Sequence, residues 1–222
     1  MTTPNSASPG FKVPFNIPGA PEHVTLSELV DEAKPLLQNS LDSWQRKPGA
    51  FETALSQASW WHFWLLVTIS EIANALAFAI ATRGGVLRLL FAFVVSIPIG
   101  LIVFYLGSYA SHWYATKQAG GSATLVQHSY VLGVIWAGGL IIVSLITLVL
   151  GILGLGGIAA LLSLVVEIYA LYLMGDSIGR LYQFQDRNQV WITAAVMVIV
   201  NIVAAIILSG ILVSGIVFAI IR

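Results

Sequence analysis

Five long apolar stretches, Trp60–Ala81, Leu89–Trp113, Ser129–Leu150, Ile158–Met174 and Val190–Ile220, leave this chain few folds to choose from. A helix of about 20 apolar residues crosses the hydrocarbon of a bilayer. Inside lipid the backbone must satisfy its own hydrogen bonds, so each stretch reads as a transmembrane helix. Composition agrees. Of 222 residues, 58% are hydrophobic and 9% charged, whereas a soluble domain carries about 25% charged residues. So few charges cannot build a water-facing shell. The expected fold class is all-α: a polytopic membrane protein, a five-transmembrane-helix bundle over residues 57–222 behind a partly helical soluble N-terminal arm, residues 1–56.

Net charge is zero, which removes the electrostatic case for nucleic acid. Cysteine is absent, and with it disulfides, thiolate metal sites and cysteine nucleophiles. The first 20 residues hold prolines and no apolar core, so no secretory signal is expected and the first span is expected to direct insertion.

Within the arm, residues 1–24 are rich in Pro, Ser, Gly and Asn and read as a flexible tail. Thr25 and Glu28 have the spacing of a capping box, with Leu26, Leu29, Val30 and Ala33 recurring behind them at helical spacing. Pro35 is expected to open a second segment in which Leu37, Leu41 and Trp44 share a face. This mildly amphipathic arm is expected to pack on its own membrane domain rather than on a partner or the membrane surface.

Pro98 and Gly100 predict a kink in the second span. The uncharged run Gly151–Gly157 predicts a tight hairpin between the third and fourth. Its GxxG spacing lacks the preceding strand that a phosphate loop needs. Arg46, Lys47, Lys117, Arg180 and Arg187 fall on the arm side, against Arg83, Arg88 and Arg222 on the other, which places the N-terminus in the cytoplasm. Trp60, Trp61, Trp113, Tyr114, Tyr130, Tyr182 and Trp191 gather at the same ends of the spans. Trp60, Trp61, Trp113, Tyr130 and Trp191 are therefore expected to anchor in the headgroup layer.

Several short motifs resemble the Yip family, the Ypt/Rab-interacting five-span membrane proteins, in its bacterial-type form. Lys47-Pro48-Gly49-Ala50-Phe51-Glu52, followed by Ser59-Trp60-Trp61, is similar to the family's Pro-x-x-x-Phe entry to the first span. Ala119-Gly120-Gly121-Ser122-Ala123-Thr124 resembles its glycine linker, and Tyr169-Ala170-Leu171-Tyr172 with Leu181-Tyr182-Gln183-Phe184 and Asn188-Gln189-Val190 the end of its fourth span and return loop. The third span, Tyr130–Leu150, lacks the proline often found there. The resemblance implies a cytoplasmic N-terminus, a five-helix bundle and partner binding rather than catalysis.

Two carboxylates, Glu71 and Glu167, fall within spans. A charge at the bilayer centre costs at least about 2.5 kcal/mol. Each is therefore expected to be neutral, paired or facing water. Thr68, Glu71 and Asn74 share one helix face. That stripe is read as interhelical hydrogen bonding in preference to a proton relay. His62, His112 and His128 lack metal-ligand spacing and are read as unrelated interfacial histidines. Asp176 and Arg180 are expected to form a surface pair. Small residues at four-residue spacing, Ala73/Ala77/Ala81, Gly107/Ser111, Gly133/Ala137, Gly175/Gly179 and Ala205/Ser209, predict close helix approach.

No catalytic elbow or cofactor motif is legible. The expectation is a non-enzymatic scaffold in the bacterial cytoplasmic membrane, without metal or cofactor. Its partners would be the lipid bilayer and other membrane proteins, including further copies of itself. The rival expectations are an accessory subunit of a bioenergetic membrane complex and a small transporter or channel using Glu71 and Glu167.

Overall fold

The computed structural model describes residues 10–13, 16–83 and 85–221. Two short strands, β1 (Phe11–Lys12) and β2 (His23–Val24), pair antiparallel ahead of the first helix. The expected flexible tail is thus partly structured over 10–24, and its residues 1–9, 14 and 15 lie outside the described residues. Helices follow as α1 (Leu26–Trp44), α2 (Ala50–Ser56), α3 (Trp60–Ala81), α4 (Gly85–Phe91), α5 (Ile97–Lys117), α6 (Leu125–Ile152), α7 (Gly156–Tyr182) and α8 (Arg187–Ile221). A π-helical turn, Ala92–Ser96, joins α4 to α5 in one continuous span. Five helices are long and apolar enough to cross a membrane, which makes this an integral, multi-pass, all-α membrane protein.

Local chemistry explains most boundaries. Thr25 caps α1 in a full capping box: Glu28 Oε2 accepts from the Thr25 backbone N–H at 2.7 Å, and this bond holds the Glu28 carboxyl below its ordinary range. Thr124 and Gln127 repeat the device at α6. Pro35 does not open a new segment. It sits inside α1 on the solvent face, where water can take the Asp31 carbonyl that its missing N–H leaves free. Pro98 lacks the same donor and crowds the carbonyl of Val94. A π turn, Ala92–Ser96, lies just before it and widens the helix at that point. Leu153–Leu155 form the far-side hairpin, with Gly154 at φ +76°. Both α5 and α7 outrun their apolar stretches. Their last turns, carrying Lys117 and Arg180, continue the helix past the apolar stretch on the arm side.

The bundle is centred on α6, which packs against α3, α5 and α7, while α8 leans on α5 and α7. Lipid offers no hydrophobic drive to helix pairing, so close packing must supply it. Gly133 receives Phe63, Gly175 receives Trp191, Gly107 receives Asn201 and Gly151 receives Ala81. Ser209 instead faces outward, so the Ala205/Ser209 pair is not a packing seam here.

The arm is docked. Its buried stripe is Ala33, Leu36, Ser40 and Trp44, whereas Leu26 and Val30 are exposed. The expected stripe therefore holds at Ala33 and, half-buried, at Leu29, but not at Leu26 and Val30, because the later part of α1 is the part that reaches the bundle. Trp44 lies across Gly138 and Gly139 and donates its indole N–H to the Ile135 carbonyl at 2.7 Å. Further along, Glu32 meets His62 at 3.2 Å and Asn39 meets Gln57.

Candidate functional site

Three polar constellations stand out. The first is on the arm side, where motif residues far apart in sequence converge around Asp176 of α7. Arg180 Nε lies 3.2 Å from Asp176 Oδ2, the expected pair, and Arg46 approaches the same oxygen at 4.0 Å. Arg46 also donates to the Tyr172 hydroxyl at 3.3 Å and lies over its ring. Arg180 lies over the ring of Phe51, the first full turn of α2 being set by Pro48 and a left-handed Gly49 (φ +80°). Tyr169 stacks edge-on to Trp44 and donates to its carbonyl. Lys47 reaches back to Asp42 at 2.6 Å, which together with Gln38 holds that carboxyl below its usual range. These ion pairs reach solvent, which screens them, and each contributes little to stability by itself. Their effect is to present a fixed aromatic and charged face.

The second constellation lies deeper on the same side. Its hydrogen bonds join α5, α6 and α7. Ser111 Oγ lies 3.0 Å from the Ser108 carbonyl and 2.7 Å from His128 Nε2. The Tyr182 hydroxyl bridges the two histidines, 3.0 Å from His128 Nδ1 and 2.8 Å from His112 Nδ1. The sense in which the protons run along it follows the histidine tautomers. The two histidines are therefore not unrelated, as their sequence spacing implies; their rings lie 5.6 Å apart. His62 is elsewhere, bound by Glu32 and the Gln57 carbonyl. Among the described residues no three His, Cys, Asp or Glu side chains converge as metal ligands. Gly120 and Gly121 serve this network. Gly120 takes φ +76° to end α5, and a Cβ on Gly121 would stand 2.3 Å from the Tyr182 ring.

Removing the shared hydroxyl strands both histidine nitrogens. Tyr182→Phe should therefore destabilise the bundle by about 1–2 kcal/mol. Thermal unfolding of the purified protein in detergent measures this, and an unchanged midpoint would mean that the chain of bonds contributes nothing.

The third constellation is at mid-membrane. Glu71 of α3 accepts from the Trp136 indole at 3.4 Å, and its carboxyl lies against Gly100 of α5. Asn74 Oδ1 lies 3.5 Å from Ser144 Oγ. The polar stripe thus faces neighbouring helices, as expected of interhelical hydrogen bonding. Glu167 is separate: it is exposed on α7, where it borders a cavity of about 430 Å³ shared with Asn74, Trp136 and Asn201.

The aromatic anchors divide. Trp113 and Trp191 are exposed and Trp60 half-buried, positions that suit a headgroup layer. Trp61 and Tyr130 are buried in the core, Tyr130 completely. Their sequence position at a span end does not specify which way the ring turns. Both turn inward, and Tyr130 donates to Gln57 of the segment leading into α3.

Comparison with protein-family models, with curated proteins and with solved structures returns no match for this chain.

Proposed function

We propose that this protein is a non-enzymatic membrane scaffold of Yip type, with its arm in the cytoplasm of a bacterial cell and its arm-side face binding protein partners. The observation that carries the reading is the convergence around Asp176. Phe51, Tyr169 and Tyr172 come from two separated family-like motifs, yet all three contribute to one face held by Arg46 and Arg180. An aromatic and arginine-rich patch of this kind has the composition of protein-binding surfaces. It holds a ring of paired charges and no nucleophile with an adjacent base, the arrangement that covalent catalysis requires.

A photo-crosslinking residue at Tyr172, tested in native membranes, should yield discrete protein adducts. The same residue at Leu161, near the far side, should give only lipid adducts. Arg46→Glu should remove the Tyr172 adducts while leaving expression unchanged. Equal labelling from both positions would sink the reading.

A second reading, an accessory subunit of a larger complex, is favoured by α8. In its most apolar 18-residue stretch 6% of residues are buried, against 44% in that of α3. Such a face suits either lipid or a neighbouring subunit. A native gel of gently solubilised membranes separates the readings, since a stoichiometric subunit co-migrates with its complex and an adaptor does not.

A further inference from the structure

From the mid-membrane cavity we infer a second site, a binding pocket for a lipophilic organic cation with Glu167 as its counter-ion. The inference does not depend on the scaffold reading. The cavity, about 430 Å³, lies between α6, α7 and α8. That is the size of pockets that hold small organic ligands, about 300–1,000 Å³. Its walls are mostly apolar, with Leu140, Val143, Met174 and Met197 among the lining side chains. Three polar side chains interrupt them, Glu167, Asn74 and Asn201, from three different helices.

Glu167 is the unusual member. It sits midway along α7, is exposed, and makes no hydrogen bond or ion pair with any described residue. Glu71, at a similar depth, has both an indole donor and close packing to cover it. Among the described residues no Lys, Arg or His lines the cavity. A carboxylate left to hydrocarbon costs at least about 2.5 kcal/mol. An occupant that carries positive charge on an apolar body removes that cost and fills the apolar walls together. The carboxamides of Asn74 and Asn201 line the same cavity, the Asn201 oxygen itself being packed against Gly107 of α5. A simple metal or ammonium ion is disfavoured, because mostly apolar walls cannot replace its hydration shell. A quaternary ammonium or phosphonium with hydrocarbon substituents meets both requirements.

The test is saturation binding of radiolabelled tetraphenylphosphonium to the purified full-length protein in neutral detergent, with dodecyltrimethylammonium as a second probe. Saturable binding near one per chain is expected, weakened about tenfold or more by Glu167→Gln. The exposed arm-side carboxylate serves as control: Glu52→Gln should bind as the unmodified chain does. Val143→Trp keeps the carboxylate but fills the cavity, and it should abolish binding. It also decides the matter if Glu167→Gln does not yield a monodisperse protein. Absence of saturable binding for both probes, or binding indifferent to Val143→Trp, would overturn the proposal.

Discussion

Glu71→Lys should prevent assembly of the bundle, while Glu71→Gln should leave it nearly unchanged. The contrast follows from what surrounds the carboxyl. Glu71 is wedged between α5 and α6, with Oε1 accepting the Trp136 indole N–H and the carboxyl against the Cα of Gly100. An indole nitrogen only donates. Glutamine keeps an oxygen to accept that proton and nearly the same volume, so the loss is limited to the strength of one intramembrane bond, about 0.6 kcal/mol. Lysine brings only donors, so the ammonium and the indole compete for acceptors that are absent. Near Gly100 a Cβ would already lie 3.0 Å from Oε1, so the longer side chain has no space either. A central lysine adds about 2.5–3.5 kcal/mol of insertion cost. Expression with size-exclusion chromatography measures both variants. Glu71→Gln should elute as the unmodified protein does, and Glu71→Lys should be lost to aggregation or degradation. A well-folded Glu71→Lys protein would show that the carboxyl faces water rather than its neighbours.

The sequence carried the spans well and the site poorly, for different physical reasons. Hydropathy is a property of a window, so α3 could be read as Trp60–Ala81 and is found at those bounds. It weakens at the arm-side ends of α5 and α7, where polar residues continue the helix past the apolar stretch. Capping chemistry is local, so Thr25 and Glu28 were readable as a pair. Pro35 misleads because proline's cost depends on exposure, which a single sequence does not state. The His112–Tyr182–His128 chain was invisible for a related reason. Its members come from α5, α6 and α7, and only the packing of those helices brings them together. One local signal did exist: Gly120-Gly121 ahead of α6, where the second glycine leaves room for the Tyr182 ring. Trp61 and Tyr130 show the complementary failure. Depth in the membrane follows from sequence position, but the side of the helix that faces the core does not.

Trp44→Ala should release the arm from the membrane domain, and this is the largest effect expected outside the spans. Trp44 is the only residue of α1 that reaches both a backbone carbonyl and a pair of glycines in α6: its indole donates to Ile135, and its ring covers Gly138 and Gly139. The Ile135 carbonyl is also part of the α6 helix, so this bond adds to the helix ladder rather than replacing it. Truncation removes the bond, the edge-on contact with Tyr169 and most of a buried aromatic surface. Large-to-small changes of this type cost about 3–5 kcal/mol. What remains is the packing of Ala33, Leu36 and Ser40, with Glu32 meeting His62 and Asn39 meeting Gln57; without the indole this small apolar contact no longer holds the C-terminal end of α1 on α6. The reciprocal change tests the same contact from the other side. A Cβ on Gly138 would fall 2.2 Å from the Trp44 ring, so Gly138→Val must displace the indole while leaving the arm's own sequence intact. Limited proteolysis in detergent reads the outcome. The unmodified protein should resist cleavage between Leu26 and Gln57, and both variants should be cut there rapidly while the five spans remain as one resistant fragment. If the arm stayed protected in both variants, docking would have to rest on the buried Leu36 stripe and the polar contacts of Glu32 and Asn39 instead of on Trp44.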